Sequence, residues 1–190
     1  MTQTLTRRMS LNELQEYARN YNRAIFRFMA SGRAAPTEAR LVRFEESVDF
    51  RFPDEFRELT LSPLGGFCLE VPGELWDRPA ELVEGDWRNL YSLKLFGIGV
   101  GVPDWLNLRL ELESLPPEDT DIVPFMARGC EPERYCFDLD YQIVVWSPKT
   151  GERRVVKEDF YSLIMREIHE LEERWERYKV EGRPKKKKKK

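Results

Sequence analysis

The stretch Phe44–Phe67, FEESVDFRFPDEFRELTLSPLGGF, limits the possible folds more than any other part of the chain. Phe52-Pro53 stops any helix that reaches it, because the residue before a proline is driven out of the α region. Pro53 then suits the first turn of a new short helix, where its missing N–H costs nothing, and Asp54 and Glu55 stand at that helix's positive end. Phe56 and Leu59 face inward. Ser62-Pro63-Leu64-Gly65-Gly66 reads as a turn, after which Phe67, Leu69 and Val71 alternate as a first strand. No residue in the stretch is placed like a catalyst. It is a joint between helix and sheet.

Upstream, Ser10-Leu11-Asn12-Glu13 has the form of a capping box, with Ser10 accepting from the backbone N–H near Glu13. Leu11, Leu14, Ala18, Tyr21, Ile25 and Phe28 then recur at spacings of three and four, which predicts one helical stripe ended by Gly32. The pattern is too short for a coiled-coil seam and is read as a helix packed on the domain. Pro36 and Thr37 open a second helix to about Val48, with Leu41, Phe44 and Val48 inward.

Downstream, residues 72–89 are irregular, and Leu90–Val102 reads as strand with glycine breaks. Leu106, Leu108, Leu110 and Leu112 alternate with Asn107, Arg109, Glu111 and Glu113, which predicts a half-buried strand. Ile122–Met126, Arg134–Leu139 and Gln142–Trp146 are three more strands, and residues 147–151 turn the chain into a last one around Arg154–Val156. Asp159 starts a long final helix with Phe160, Ile164, Ile168, Leu171, Trp175 and Tyr178 on its inner stripe, ended by Gly182-Arg183-Pro184. The order predicts an α+β fold: a mostly antiparallel sheet of about six strands, with N-terminal helices and a long C-terminal helix packed on it. Residues 1–35 are assigned to an N-terminal helix, 36–180 to the α+β domain, and 181–190 to a disordered basic tail, either native or an appended tag.

Composition narrows the function. The formal charge of −3 includes the lysine run Lys185–Lys190; without those six lysines, 25 basic residues face 34 acidic ones, a balance of −9. An acidic body does not suit direct binding to nucleic acid, which needs a basic face. It suits a basic protein partner. No apolar run approaches the ~20 residues of a membrane span, and MTQTLTRRMSLNEL lacks the apolar core of a secretory signal, so a cytoplasmic chain is expected. Cys68, Cys130 and Cys136 match no common zinc spacing and read as reduced, mostly buried thiols; no metal and no cofactor is expected.

Candidate chemistry is sparse. Gly97-Ile98-Gly99-Val100-Gly101 fails the dinucleotide pattern, since the third glycine should fall at Val102 and Pro103 stands where helix should begin. Asp138 and Asp140 alternate with Phe137 and Leu139, marking the wet face of a strand; a carboxylate hydrolase would need both acids to converge on one pocket. His169, the single histidine, lies off the apolar stripe of the last helix, between Glu167 and Glu170. No catalytic residue is assigned. The better signal is three tryptophans each beside an acid: Trp76 with Asp77, Trp87 with Asp86, and Trp105 with Asp104. Aromatic anchors rimmed by acids fit a basic partner, and with Glu131 and Glu133 they form the candidate partner-binding set.

The order of these pieces resembles the SMI1/KNR4 (SUKH) superfamily. The resemblance rests on Phe44-Glu45, then Phe52-Pro53-Asp54-Glu55-Phe56, then Leu64-Gly65-Gly66. It continues through Ile122-Val123-Pro124-Phe125-Met126-Ala127, Tyr135-Cys136-Phe137-Asp138-Leu139, Ile143-Val144-Val145-Trp146 and Phe160. It covers about residues 41–171, with Phe52 where members commonly carry leucine and with no alignment over residues 72–119. What it implies is a non-enzymatic α+β domain. Many bacterial members are immunity proteins that bind and block a cognate toxin, often a nuclease, and other members are regulatory interaction modules.

Overall fold

The computed structural model describes residues 9–32, 35–75, 92–129 and 131–182. A seven-stranded antiparallel sheet runs in chain order: β1 Arg27–Ala30, β2 Phe67–Glu70, β3 Ser92–Leu95, β4 Ile122–Arg128, β5 Arg134–Asp138, β6 Ile143–Trp146 and β7 Arg153–Val155. The helices are α1 Leu11–Asn20, α2 Glu38–Val48, α3 Asp54–Leu61, α4 Leu108–Glu113 and α5 Phe160–Arg177. The fold is α+β, with the N-terminal helices and α5 on one face of the sheet.

Alternation along the strands divides two cores. Toward the helices, Leu69, Leu93, Leu95, Phe125 and Phe137 pack with Leu41, Phe56, Ile164 and Ile168. Aromatic rings dominate its middle: Phe125 stacks on Phe137 at 4.3 Å between centroids, and Phe56 meets Phe137 edge-on at 5.7 Å. Such pairs add about 0.5–1.5 kcal/mol each beyond area burial. On the opposite face the chain between β3 and β4 lies across the sheet, with Val102 and Leu106 on Cys68, and Leu115 on Ile122, Cys136, Val144 and Trp146. A bulge between Pro124 and Met126 lets a proline sit inside β4.

In the joint at residues 44–67, Pro53 stands at the N-cap of α3 and not in its first turn, which begins at Asp54. Asp49 takes a left-handed conformation (φ 51°) to end α2. Glu45 is buried; its carboxylate accepts from Phe52 N–H at 2.8 Å and pairs with Arg57, which also reaches Glu38. The carboxylate thus satisfies a backbone donor that the Phe52-Pro53 break leaves without a helical acceptor. Gly66 (φ 72°) lies against Gly97, and a Cβ on either would approach the other's Cα to 2.7 Å. The glycine-rich run at Gly97 therefore serves a close backbone crossing.

Four expectations are corrected. The first helix ends at Asn20, not near Gly32. Asn22 Oδ1 accepts from Ala24 N–H at 3.1 Å, a local turn that competes with helix, and Arg27–Ala30 becomes edge strand β1, the seventh strand. Ser10 does stand at the N-cap, but its hydroxyl donates to the Glu13 carboxylate at 3.0 Å instead of accepting from the backbone. Leu106–Glu113 is not a strand: Asn107 caps α4 by accepting from Arg109 N–H at 3.0 Å, Leu108 alone of the helix is fully buried, and Leu110 is 41% exposed. Likewise, within the described part of the strand expected over Leu90–Val102, only Ser92–Leu95 is strand.

At its far end α5 begins as expected, with Asp159 accepting from Ser162 N–H at 3.0 Å, and all six stripe residues are buried. It packs on α1, where Tyr17 O–H donates to Glu172 at 2.9 Å. The sheet edges carry charge that discourages further pairing: Arg27 binds Glu70 on β1's side, and β7 is wholly exposed with Arg153 held by Asp119 and Asp121.

Cys68 and Cys136 are free and buried. Burial, with the Glu70 charge adding to it, pushes the Cys68 thiol up to about 12, and burial raises Cys136 as well. Since the thiolate is the reactive species, both should resist iodoacetamide at pH 8 until the chain unfolds in urea. Peptide mapping by mass spectrometry checks this; rapid labelling of either in the native state contradicts it. Cys130 lies outside the described residues.

Candidate functional site

Where β4, β5 and β7 pass the start of α5, the sheet leaves a groove of about 290 Å³ lined by Arg128, Glu131, Glu133, Tyr135, Arg154 and Arg166, among others. Three of these residues, Arg128, Tyr135 and Arg166, converge on Glu167, which is 2% exposed. Arg128 donates to it through Nε at 2.5 Å and Nη2 at 2.7 Å, and Tyr135 O–H donates at 2.7 Å. Arg166 adds an ion pair at 3.2 Å. Burial opposes the Glu167 charge, but the bonds and charge of Arg128, with Tyr135, outweigh it and hold the carboxyl below its usual range. Burial and the adjacent Glu167 charge raise Tyr135, so its phenol stays protonated as the donor.

The rim acids are matched in the same way. Glu131 lies 3.8 Å from Arg128, Glu133 3.1 Å from Arg154, and Glu158 3.0 Å from Arg166. Burial lifts the Glu131 carboxyl, with Arg128 and Arg174 opposing. Each carboxylate here is engaged by a guanidinium, so the groove is a charge-compensated polar surface, able to exchange ion pairs with an incoming chain.

The predicted partner-binding residues separate into groups. Glu131 and Glu133 come together at the groove, on the helix-facing side. Asp104 and Trp105 lie in a short 3-10 turn, Asp104–Leu106, on the opposite face, where Leu106 is anchored against Cys68. Trp105 is 46% exposed, and the Lys94 ammonium lies 5.6 Å from its ring centroid. Trp76, Asp77, Asp86 and Trp87 lie outside the described residues.

Asp138 and Asp140 do not converge. Asp138 Oδ1 accepts from the backbone N–H of Asp140 at 3.0 Å and of Gln142 at 2.8 Å, closing the β5–β6 turn in which Tyr141 takes φ 61°, while Asp140 is exposed. Neither acid lines the groove described above. His169 is exposed on α5 beside Glu172. Among the described residues no three His, Cys, Asp or Glu side chains cluster to hold a metal ion, and no helix is long and apolar enough to cross a membrane.

Sequence reasoning passed over Glu167, Arg128 and Tyr135. One signal was there: Glu167 falls three residues after Ile164 and four before Leu171, inside the apolar stripe of α5. A charge at such a position is rarely buried unless it is paired.

No protein-family model matches the chain, and no curated protein matches it. Among solved structures, a protein from Pseudomonas syringae pv. tomato is similar at 18% identity over 79% of this chain and 89% of that one, with a TM-score of 0.42. A likeness at that level carries no functional argument.

Proposed function

We propose that the chain is an immunity-type binding protein of the SMI1/KNR4 (SUKH) kind. It neutralises a cognate protein toxin in the cytoplasm by stoichiometric occlusion and performs no chemistry of its own. The observation that carries this reading is the presentation of Trp105: an exposed indole in a short 3-10 turn, followed directly by buried Leu106 and the capped start of α4, with Asp104 adjoining. Exposed tryptophans on rigid backbone are the groups that dominate interface energies. The surplus of acidic charge would steer a basic partner, such as a nuclease, toward it. Glu131 and Glu133 form a separate contact region on the other face.

One observation favours a second reading, a regulatory interaction module of the same fold without a toxin. The acids of the Glu131–Glu133 groove are already matched by arginines, so that region has little net field with which to draw in a basic protein.

Co-expression with the toxin domains encoded beside its gene tests the first reading. The chain should protect the host and form a complex of fixed stoichiometry by size-exclusion chromatography. Trp105→Ala should leave the melting temperature unchanged and weaken the complex by ~2 kcal/mol or more, roughly thirtyfold. Failure to protect against any adjacent toxin, or undiminished affinity of W105A, overturns it.

A further inference from the structure

On the other side of the joint, α2 and the start of α4 enclose a second groove, of about 320 Å³, lined by Arg40, Arg43, Phe44, Ser47, Ile98, Asn107 and Arg109. It is unlike the first in charge. Arg27, Arg57, Arg128, Arg134, Arg153 and Arg154 each hold a carboxylate. Arg40, Arg43 and Arg109 hold none among the described residues, and no acid lines the groove. In a chain with more acids than bases, three unmatched guanidiniums on one concavity are a local reversal of sign.

The groove is also preorganised. Arg40, Arg43 and Ser47 recur at three and four residues, which sets them on one stripe of α2. Arg109 arrives from α4 and is held in place: Nη2 donates to Ser47 Oγ at 2.7 Å, and the guanidinium lies 4.8 Å from the Phe44 ring centroid. Ser47 O–H is itself spent on Phe44 C=O at 2.7 Å, so its oxygen is aimed as an acceptor at Arg109. Arg43 Nε donates to Ala39 C=O at 3.1 Å, which leaves its terminal nitrogens to the groove. Phe44 and Ile98 supply an apolar wall beside the cations.

From this arrangement we infer that the Arg40–Arg43–Arg109 groove is a binding site for a phosphoryl group carried on an organic moiety, a function separate from the Trp105 surface. A single carboxylate would neutralise one of three cations. A phosphomonoester brings close to two negative charges and three acceptor oxygens, matched to planar donors that bind such oxygens in bidentate fashion. The apolar wall gives the ester's organic part a surface that inorganic phosphate does not use. A long nucleic acid is disfavoured by the acidic remainder of the body.

Isothermal titration of the full chain tests the site with four probes: phenyl phosphate, inorganic phosphate, a phosphoserine peptide and a polyglutamate peptide. Phenyl phosphate should bind more tightly than inorganic phosphate, and its affinity should fall with added salt and drop at least about tenfold in Arg43→Gln and again in the Arg43→Gln/Arg109→Gln double variant. All three arginines are exposed, so circular dichroism should show an unchanged fold. Tighter binding of the phosphoserine peptide than of phenyl phosphate identifies the source as a modified protein, and the reverse order a small-molecule ester; both support the site. No binding at millimolar concentration, equal binding by the double variant, or preference for polyglutamate overturns the proposal. None of these outcomes depends on whether W105A retains a toxin partner, so the two readings fail independently.

Discussion

Gly66→Ala is expected to destabilise the fold by about 2–5 kcal/mol, the sum of about 1–2 for a Cβ in left-handed backbone and about 1–3 for overpacking. Gly66 has φ 72°, and the new Cβ would lie 2.7 Å from the Gly97 Cα, a backbone atom that no rotamer change can move away. The turn is tied further: Ser31 N–H donates to Gly66 C=O at 3.1 Å and Gly32 N–H to Pro63 C=O at 2.9 Å, so any shift of the turn also pulls on the end of β1. Gly151→Ala separates the two terms. Gly151 has φ 68° with nothing within 4 Å of its Cβ position, so only the conformational cost of about 1–2 kcal/mol applies there. Urea unfolding of both variants reads the difference. Equal losses would mean that the crossing with Gly97 is loose.

Glu167→Ala should cost a comparable amount, about 3–5 kcal/mol, because it leaves Arg128 partly buried without its bidentate partner. The pH dependence gives a finer test. The Glu167 carboxyl lies below its usual range in the fold and returns to about 4.3 in the unfolded chain. A depressed folded value means the stabilisation is fully present above the unfolded value and is lost as pH falls through the folded one. Wild-type stability should therefore fall below about pH 4.3, while Glu167→Gln, less stable at neutral pH, should lack that share of the acid loss. Thermal melts between pH 7 and pH 3 check it; parallel profiles would show that Glu167 is not the titrating group.

The elements that could be read from the chain were those in which a local stop and a periodic pattern agreed. Phe52-Pro53 marks a boundary by its restricted backbone and Asp159 by its capping side chain, and the stripe from Phe160 to Tyr178 leaves a single register for α5. Where the two signals disagreed, periodicity misled. Ile25 and Phe28 continue a helical spacing by coincidence, while the Asn22 side chain turns the chain away. The four leucines of 106–112 alternate like a strand, yet Asn107 caps a helix there and only Leu106 and Leu108 are buried. Of the site, Glu131 and Glu133 were accessible as acids, but their arginine partners come from β4 and β7 and are visible only once the sheet is assembled. The arginine groove shares this limitation, since residue 109 reaches residue 47 only through the tertiary fold.

Because, among the described residues, each strand of the sheet bonds only to strands adjacent in sequence, the topology favours an order of assembly. Strands β4 to β7 and α5 form one contiguous stretch whose hairpins close over short turns, where loop-closure entropy is smallest. Pairing β1 to β2 and β3 to β4 spans longer connections and suits later docking onto an existing edge. The C-terminal stretch is therefore expected to form first, and its own residues already bring Phe125, Phe137 and Phe160 into mutual contact.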